Sequence, residues 1–310
     1  MNYIGCVIER YRCKLQMSRK ELSENICTEK YVYLIEKGNR SPSVDVVSLF
    51  GDKLGVDLFD YYQYLGCEDS IAVREKMNEF NMYREKSNFI KLKEVTDIAY
   101  NLPDFNCKPW IYEIELNKIL YMVFVEQRYD ESIIELNNFL NQIEEKYFKS
   151  VFMANTYILL SSCYQLTGDL LRTKSAVESA YEIVCNKNEN ERCVQVIITV
   201  RISSLTMKYL FNEFHEVINE GRELLNYQYK FNSYERIFYT FFYLSFAHYK
   251  IGEHDKAIEC FKKGLYLLMV DFKPMDAYYI SMQDLFYVLL NDRSMNKEMI
   301  NEFKNKYNLS

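Results

Sequence analysis

The sequence is poor in glycine and proline, the residues that punctuate strands and tight turns. Only 9 of its 310 residues are Gly and 4 are Pro, while Leu, Ile, Lys, Glu, Tyr and Phe fill long uninterrupted segments. So few breaks argue against a fold of many short strands. At 49% hydrophobic and 26% charged residues, the chain also lacks the polar excess of a disordered protein. We therefore predict a well-packed, all-α protein.

The cysteines and histidines lack the pattern of a disulfide framework or a metal site. The nine cysteines lie at positions 6, 13, 27, 67, 107, 163, 185, 193 and 260, and no two are spaced as Cys-x-x-Cys. The histidines, at 215, 248 and 254, show no metal-ligand spacing with one another or with cysteine. A glycine-rich phosphate loop and a nucleophile elbow are also lacking. We expect a protein that is not an enzyme and that uses no metal or cofactor.

No segment predicts export or insertion into a membrane. The first residues lack a basic stretch followed by an apolar core. The apolar run from Ile237 to Ala247 is interrupted by Tyr and Thr, and it is much shorter than the roughly 20 residues that span a bilayer. Scattered cysteines fit a reducing compartment. The expected location is therefore the cytoplasm, with no membrane partner.

Positive charge is concentrated near the amino terminus of an acidic chain. The formal net charge is −6, but residues 1–66 are neutral overall, so the whole excess of negative charge falls on residues 67–310. Between residues 10 and 40, eight Lys and Arg are accompanied by only four Glu. A basic surface of this kind is compatible with contacts to nucleic-acid phosphates.

Start and stop signals divide the first 66 residues into five short helices. Ser18 and Glu21 have the spacing of a capping box that opens the second helix. After a tight turn, Thr28 can cap the third helix and Gly38 can end it. The residues predicted to face inward on the first and fourth helices are Ile4, Val7, Ile8, Tyr11, Val44, Val47, Leu49 and Phe50. Five short helices with a tight turn between the second and third predict a helix-turn-helix domain.

The motifs of this region resemble the phage-repressor type of helix-turn-helix. The matching stretches are Ile4-Gly5 through Arg12, Ser18-Arg19-Lys20-Glu21-Leu22, Ile35-Glu36-Lys37-Gly38, Pro42-Ser43 and Leu54-Gly55-Val56. The narrower phrase Glu21-Leu22-Ser23-Glu24-Asn25-Ile26-Cys27 resembles the peptide-pheromone-responsive transcription regulators of Gram-positive bacteria, the Rgg, NprR, PlcR and PrgX group, and most nearly PlcR. The resemblance implies that residues 1–66 bind double-stranded DNA and that Arg12 pairs with Glu36 to hold the domain together.

The resemblance also assigns candidate DNA contacts on the second and third helices and in the loop that follows. These are Arg19, Thr28, Glu29, Lys30, Tyr33 and Arg40. The chain departs from the family here, because the family usually has Gln or Ser where this chain has Glu29 and Lys30. An acid at Glu29 repels phosphate but can accept a hydrogen bond from a cytosine amino group. The operator sequence therefore does not transfer from the family.

Residues 67–310 contain a repeated pattern of helix pairs. Residues 241–265 resemble a tetratricopeptide repeat, with Leu244 and Ser245 where paired helices touch and Gly252 at the turn. A weaker copy occupies residues 157–180. Aligning Ser132, Thr173, Val217 and Ala257 gives spacings of 41, 44 and 40 residues, longer than the roughly 34 of the standard repeat.

The repeat pattern predicts the architecture of the second domain. We expect residues 67–310 to form a right-handed solenoid of tetratricopeptide-like helix pairs that also serves for sensing and dimerisation. An earlier pair is expected in residues 71–102 and a terminal capping pair in residues 277–306.

The first helices of such an array line a concave wall that can hold an extended peptide. The helical register places these candidate peptide contacts on that wall: Asn117, Tyr121, Asn155, Ser162, Gln165, Arg201, Thr206, Tyr209, Tyr239, Phe242, Phe246, Tyr249 and Lys250. Aromatic side chains would supply apolar pockets, and Asn and Gln could hold a peptide backbone through paired donors and acceptors. Lys250 or Arg201 could bind a carboxylate.

The leading hypothesis is a homodimeric transcription regulator whose DNA affinity changes when a short signalling peptide binds the repeats. The peptide is implied by the family resemblance, whereas the repeats follow from the register. Two alternatives stay open at this point. The array could be a scaffold for a protein partner, with DNA binding secondary, or it could serve only for dimerisation of a ligand-independent DNA-binding protein.

Overall fold

The computed structural model describes residues 4–144, 150–184, 194–270 and 274–307. Within these ranges the regular structure is entirely helical, which confirms the all-α prediction. The cysteines at 185 and 193 lie outside the described residues. The chain divides into two compact units, Met1–Arg128 and Tyr129–Ser310.

The amino-terminal part of the first unit has the five predicted short helices. They are α1 Ile4–Lys14, α2 Arg19–Ser23, α3 Glu29–Glu36, α4 Val44–Leu54 and a 3-10 helix, Leu58–Tyr64. Ser18 and Glu21 form the predicted capping box, and Thr28 caps α3. These helices share one core, in which Ile8, Leu22 and Val32 are fully buried.

The prediction for α4 was wrong at two positions. Val44 is 70% exposed and Leu49 is 45% exposed. Val44 is the first residue of the helix and projects beyond the edge of the core. Leu49 lies two residues from buried Val47, which is roughly 200° around the helix, and therefore points to the opposite side. The buried face consists of Val47, Phe50, Gly51 and Leu54.

Helix α1 crosses α3 at a glycine. A Cβ atom added to Gly5 would lie 1.9 Å from the carbonyl oxygen of Ile35 and 2.6 Å from its carbonyl carbon. Because these are backbone atoms of a buried helix, a side-chain rotation cannot relieve the clash. The packing of α3 against α1 thus requires glycine at this position.

A second core fills the rest of the first unit. It lies between α5 Ser70–Glu85, α6 Phe89–Tyr100, the 3-10 helix Pro103–Asn106 and α7 Trp110–Phe124. Arg10 of α1 donates to both carboxylate oxygens of Asp69, at 2.7 and 3.2 Å. Asp69 also caps α5 by accepting from the backbone of Ile71 and Ala72. One aspartate therefore joins the helix-turn-helix to the helices that follow it.

The second unit consists of consecutive helices. They are α8 Tyr129–Gln142, α9 Ser150–Leu166, α10 Leu170–Val184, α11 Val194–Leu210, α12 Phe214–Lys230, α13 Ile237–Lys250, α14 His254–Val270, α15 Pro274–Ser281, α16 Phe286–Leu290 and α17 Lys297–Tyr307. The predicted terminal pair differs from the structure, which has the three short helices α15 to α17 instead. Phe286 and Phe303, from the last two of these, are fully buried in the main core.

A left-handed residue marks the turn within each of five consecutive helix pairs. These residues are Ser87, Gln127, Gly168, Asn212 and Gly252, separated by 40, 41, 44 and 40 residues. In four of these turns the next residue donates to the carbonyl oxygen five residues earlier, at 2.9 Å, as in a Schellman motif. The predicted spacings of the helix pairs are confirmed.

Small residues allow paired helices to approach closely, as the repeat pattern predicts. Ser245 of α13 donates its hydroxyl to the carbonyl oxygen of Ala257 of α14 at 2.7 Å. A Cβ at Gly264 would lie 3.3 Å from both the Phe238 carbonyl oxygen and the Phe242 ring. Ala257 is fully buried, as is Ser132 at the equivalent place in an earlier pair.

We expect Gly5→Ala to lower the free energy of unfolding of the first unit by about 2 kcal/mol or more, since overpacking costs about 1–3 kcal/mol even without a backbone clash. The single tryptophan, Trp110, is 7% exposed and belongs to this unit, so its fluorescence in a urea titration reports the transition. Gly66→Ala is the matched control, because an added Cβ there meets no atom within 4 Å. Equal midpoints for the two variants would show that the α1–α3 crossing tolerates a side chain.

Candidate functional site

A buried carboxylate joins the first three helices. The Glu36 side chain is 0% exposed and accepts hydrogen bonds from Arg12 Nε at 2.6 Å and Arg12 Nη2 at 3.2 Å. Arg19 Nε donates to the same carboxylate at 2.5 Å. Arg12 also donates to the carbonyl oxygen of Met17 at 2.8 Å. The predicted structural pair of Arg12 and Glu36 is therefore confirmed, and Arg19 is an additional member.

Arg19 was predicted to contact DNA, and the structure places it inside this network. Besides Glu36, its guanidinium donates to Glu9 at 3.2 Å, and its central carbon lies 5.4 Å from the centroid of the Tyr33 ring. The side chain keeps 31% of its surface exposed. Arg19 thus supports Tyr33 from within the domain, while its contact with DNA stays a prediction.

The exposed side of α3 carries the other predicted contacts. Thr28, Glu29, Lys30 and Tyr33 are all exposed, and we call this set the α3 face. The Thr28 hydroxyl accepts from the backbone N–H of Tyr31 at 3.2 Å, so this residue caps the helix as well. Glu29 and Lys30 form no side-chain hydrogen bond or ion pair with any described residue. Their charged groups are available to an external partner.

The basic side chains between residues 10 and 40 divide into two groups. Arg10, Arg12, Arg19 and Lys37 form ion pairs within the unit. Lys14, Lys20, Lys30 and Arg40 form no ion pair with any residue that the structure describes. Arg40 is exposed in the loop between α3 and α4. Only half of the positive charges counted in this segment are therefore unpaired and face solvent.

Lys53 holds the end of α2, a role that the sequence did not reveal. Its Nζ donates to the carbonyl oxygens of Glu21, Leu22 and Glu24, at 2.9, 3.4 and 2.6 Å. The last carbonyls of a helix have no partner inside the helix, and a cation there also opposes the helix dipole. Glu24 begins the turn that leads to Thr28. Lys53 therefore fixes the turn between α2 and α3 from a position on α4.

The two peptide candidates of the first unit lie on α7. Asn117 is 1% exposed, so the prediction that it faces an open wall differs from the structure. Its amide oxygen accepts from Arg84, and its amide nitrogen donates to Thr96 Oγ1 at 3.0 Å. The amide is therefore used in packing α5, α6 and α7 together. Tyr121 is half-buried, with Lys93 Nζ 5.6 Å from its ring centroid.

The candidates on α9 share one side of that helix. Asn155 and Gln165 are exposed, and Ser162 is half-buried between them. Spacings of seven and three residues place all three on one face. The Ser162 hydroxyl donates to the carbonyl oxygen of Ile158 at 3.0 Å.

Two aromatic candidates on α13 belong to the core. Phe242 and Phe246 are 0% exposed, in contrast to the expectation that they line an open wall. Helix α13 is covered by α11, α12 and α14, and Phe242 also contacts Phe286 of α16 at a centroid distance of 5.9 Å. An aromatic helix that packs against several others buries some of the positions predicted to line the wall. These two residues are not accessible to a ligand in this structure.

Among the other candidates on α11 and α13, Tyr209 is only 6% exposed, in contrast to the expectation that it faces an open wall. Arg201 and Tyr239 are half-buried, and Lys250 is exposed. Thr206 and Tyr249 are half-buried, and the Tyr249 ring packs against His254 at 4.9 Å. The guanidinium carbon of Arg201 lies 5.5 Å from the Tyr227 ring of α12. Arg201 therefore faces the second helix of its own pair.

Three donors of the predicted wall bind aspartates from the end of the chain. Tyr209 Oη donates to Asp284 Oδ1 at 2.6 Å, and Lys250 Nζ donates to Asp284 Oδ2 at 2.9 Å. Tyr239 Oη donates to Asp276 Oδ1 at 2.9 Å. Burial by itself would raise the pKa of Asp284, but the hydrogen bonds from Tyr209 and Lys250 hold that pKa below its ordinary value. Burial and Asp276 raise the pKa of Tyr239 well above its ordinary value.

The described residues include no group of His, Cys, Asp and Glu side chains that could hold a metal ion. Among the same residues, no helix is both long and apolar enough to cross a membrane.

The arrangement is that of a helix-turn-helix domain followed by a series of paired helices. Residues 8–61 match the helix-turn-helix family model HTH_3. No curated protein matches the chain.

Solved structures that share this fold include complexes with a peptide and DNA. PlcR of Bacillus thuringiensis in complex with the peptide PapR7 and DNA has a TM-score of 0.67 at 19% identity, over 94% of this chain and 100% of PlcR. Apo PlcR has a TM-score of 0.56 at 18% identity, over 95% of this chain and 100% of PlcR. ComR of S. thermophilus in complex with DNA and its signalling peptide ComS has a TM-score of 0.54 at 19% identity, over 90% of this chain and 97% of ComR. At such identities the likeness shows the fold, and it confirms the fold predicted from the family resemblance.

We expect Lys53→Met to loosen the turn after α2. Loss of a cation at a helix carboxyl end costs about 1 kcal/mol, which corresponds to roughly fivefold faster hydrogen exchange of the Ile26 and Cys27 amides. Exchange measured on the full chain by NMR checks this. Lys53→Arg should restore protection, and Lys14→Met, which removes an unpaired exposed cation from α1, should leave it unchanged. If Lys53→Met protects these amides as well as the wild type does, the three hydrogen bonds do not hold the turn.

Proposed function

We propose that the chain is a cytoplasmic, homodimeric transcription regulator rather than an enzyme, and that a short signalling peptide bound by its repeats controls its affinity for double-stranded DNA. The observation that carries DNA binding is the α3 face together with unpaired Lys30 and Arg40, within residues that match a helix-turn-helix family model. Peptide control is supported by the fold, because PlcR and ComR share it and were solved with DNA and a signalling peptide.

We propose that residues 1–66 form the DNA-binding domain. Its geometry indicates that different residues would contact bases and phosphates. Helix α3 would enter the major groove, where Glu29 and Tyr33 can reach base edges. Lys30 and Arg40 would bind phosphates and so set the register on the duplex. Thr28 and Arg19 would act mainly by holding α3 and Tyr33 in place. A homodimer would present two such helices to a symmetric site.

The repeats would contribute the peptide contacts that remain accessible. In the first unit this is Tyr121, and in the second unit they are Asn155, Ser162, Gln165, Arg201, Thr206 and Tyr249. Tyr209, Tyr239 and Lys250 would join the latter where their aspartate partners are displaced. Phe242 and Phe246 would support this wall from behind, since both are core residues.

One observation favours a second candidate, a DNA-binding dimer without a diffusible ligand. The wall is partly filled by the chain itself, because Asp276 and Asp284 occupy its phenol and ammonium donors. In that case the repeats would serve only for dimerisation, and no peptide would change the affinity for DNA.

DNA binding is tested by selecting bound duplexes from a random-sequence library with the purified full chain, then measuring affinity for the enriched site as salt is varied. We expect Lys30→Gln to weaken binding and to lower the slope of log affinity against log salt by about one, because one phosphate contact releases about one counterion. Lys297→Gln removes the same charge from an exposed position at the start of α17 and should change neither quantity. Failure to enrich any duplex at low salt would contradict the regulator proposal, and an unchanged slope for Lys30→Gln would move the phosphate contact elsewhere.

A further inference from the structure

We propose that Tyr209 and Lys250 form a subsite for the carboxylate of a ligand, specifically the carboxyl terminus of a peptide, and that the chain's own Asp284 fills this subsite when no peptide is bound. The inference deepens the proposed function and rests on it. It identifies the terminal carboxylate as the group of the peptide that is bound, and Asp284 as the group that competes for the same donors.

The two donors come from different helices and meet on one carboxylate. Tyr209 lies near the end of α11 and Lys250 is the last residue of α13, 41 positions later in the chain. Each donates to a different oxygen of Asp284, at 2.6 and 2.9 Å. One neutral and one cationic donor, placed one to each oxygen, satisfy a carboxylate as a charge-assisted pair.

In this contact Tyr209 is held rigidly in the core, whereas Asp284 is exposed. Tyr209 is only 6% exposed, and its ring contacts Phe214, Tyr243 and Phe246 at centroid distances of 5.8, 6.0 and 5.9 Å. The Asp284 side chain, in contrast, is 56% exposed. The phenol thus stays in place when the aspartate leaves, as expected of a binding site with a displaceable occupant.

Asp284 can leave without unfolding a helix. It lies in the connection between Ser281, where α15 ends, and Phe286, where α16 begins. The following residues, Leu285 and Phe286, are 7% and 0% exposed and anchor the chain in the core. Displacing the carboxylate therefore requires a local change in the connection and the loss of two hydrogen bonds.

A second contact of the same kind lies on the same helix. Tyr239 of α13 donates to Asp276 of α15 at 2.9 Å. The residues that the helical register assigned to ligand contacts thus include three whose phenol or ammonium group already binds an acid from one short carboxyl-terminal segment. This coincidence distinguishes the subsite from an isolated surface ion pair, and it indicates that the wall accepts anions.

The consequence is competition between a peptide carboxylate and an internal aspartate. A peptide with a free carboxyl terminus replaces the bonds to Asp284, whereas the same peptide ending in a carboxamide carries no charge and gains less. Changing Asp284 to asparagine keeps the shape but removes the charge. We expect this change to raise the affinity for free-acid peptides about tenfold, the effect of weakening one charge-assisted hydrogen-bonded competitor.

The test uses the immobilised full chain and two synthetic mixtures of short random peptides, identical except that one ends in carboxylates and the other in carboxamides. Retained peptides are identified by mass spectrometry, and single peptides are then titrated against the wild type and Asp284→Asn. Asp292→Asn is the matched control, since it changes another exposed aspartate of the carboxyl-terminal region whose partner is the nearby Ser294. Tyr209→Phe and Lys250→Met each remove one of the two donors of the subsite, and circular dichroism checks that each variant is folded.

The expected result is that the wild type prefers free-acid peptides and that Asp284→Asn binds them about tenfold more tightly, while Asp292→Asn does not. Tyr209→Phe and Lys250→Met should each reduce the preference for the free acid. Equal retention of acids and amides by every protein would overturn the subsite yet leave peptide sensing intact. A free-acid preference with no gain in Asp284→Asn would overturn the internal competitor. Retention of no peptide by the wild type or by Asp284→Asn would overturn the peptide part of the proposed function itself.

Discussion

The buried carboxylate of Glu36 is the interaction on which the amino-terminal domain depends. Removing a carboxylate from water costs several kcal/mol unless charged donors replace the water, and here Arg12 and Arg19 supply them. The three residues belong to α1, α2 and α3, so the position of α3 is coupled to the other two helices. Gly5 makes the arrangement possible, because only a residue without a side chain lets α1 approach the Ile35 carbonyl. The exposed α3 face is presented to solvent by this internal frame.

The same ion pairs decide which cations of the amino-terminal domain remain available to an external partner. In the sequence, Arg12, Arg19, Lys30 and Arg40 each contribute one positive charge to the basic segment. In the folded unit the first two are bound to Glu36, and only the second two keep their charge unpaired toward solvent. A basic segment is therefore a poorer guide to a phosphate-binding surface than the pairing of each side chain, since an internal ion pair cancels the field that would attract a polyanion.

In the repeats, one physical condition shapes both the core and the wall. Helix α13 is rich in aromatic residues and packs against α11, α12 and α14, so Phe242 and Phe246 are buried. The half-buried phenol of Tyr239 requires an acceptor, and the exposed ammonium of Lys250 gains a charge-assisted one. The short carboxyl-terminal helices bring Asp276 and Asp284 to them, and in doing so they occupy donors of the predicted ligand wall.

The amino-acid sequence by itself determined where helices start, turn and repeat. The Ser18 capping box, the Thr28 cap and the left-handed turn at Gly252 each depend on residues within about five positions, so a local pattern contains the whole physical cause. Only the tertiary structure decided the contacts of Lys53 with α2 and of Asp284 with Lys250, and the burial of Phe242. These depend on side chains about 30 or more positions apart that meet only after the helices pack, and a helical register cannot tell which of its faces will be covered.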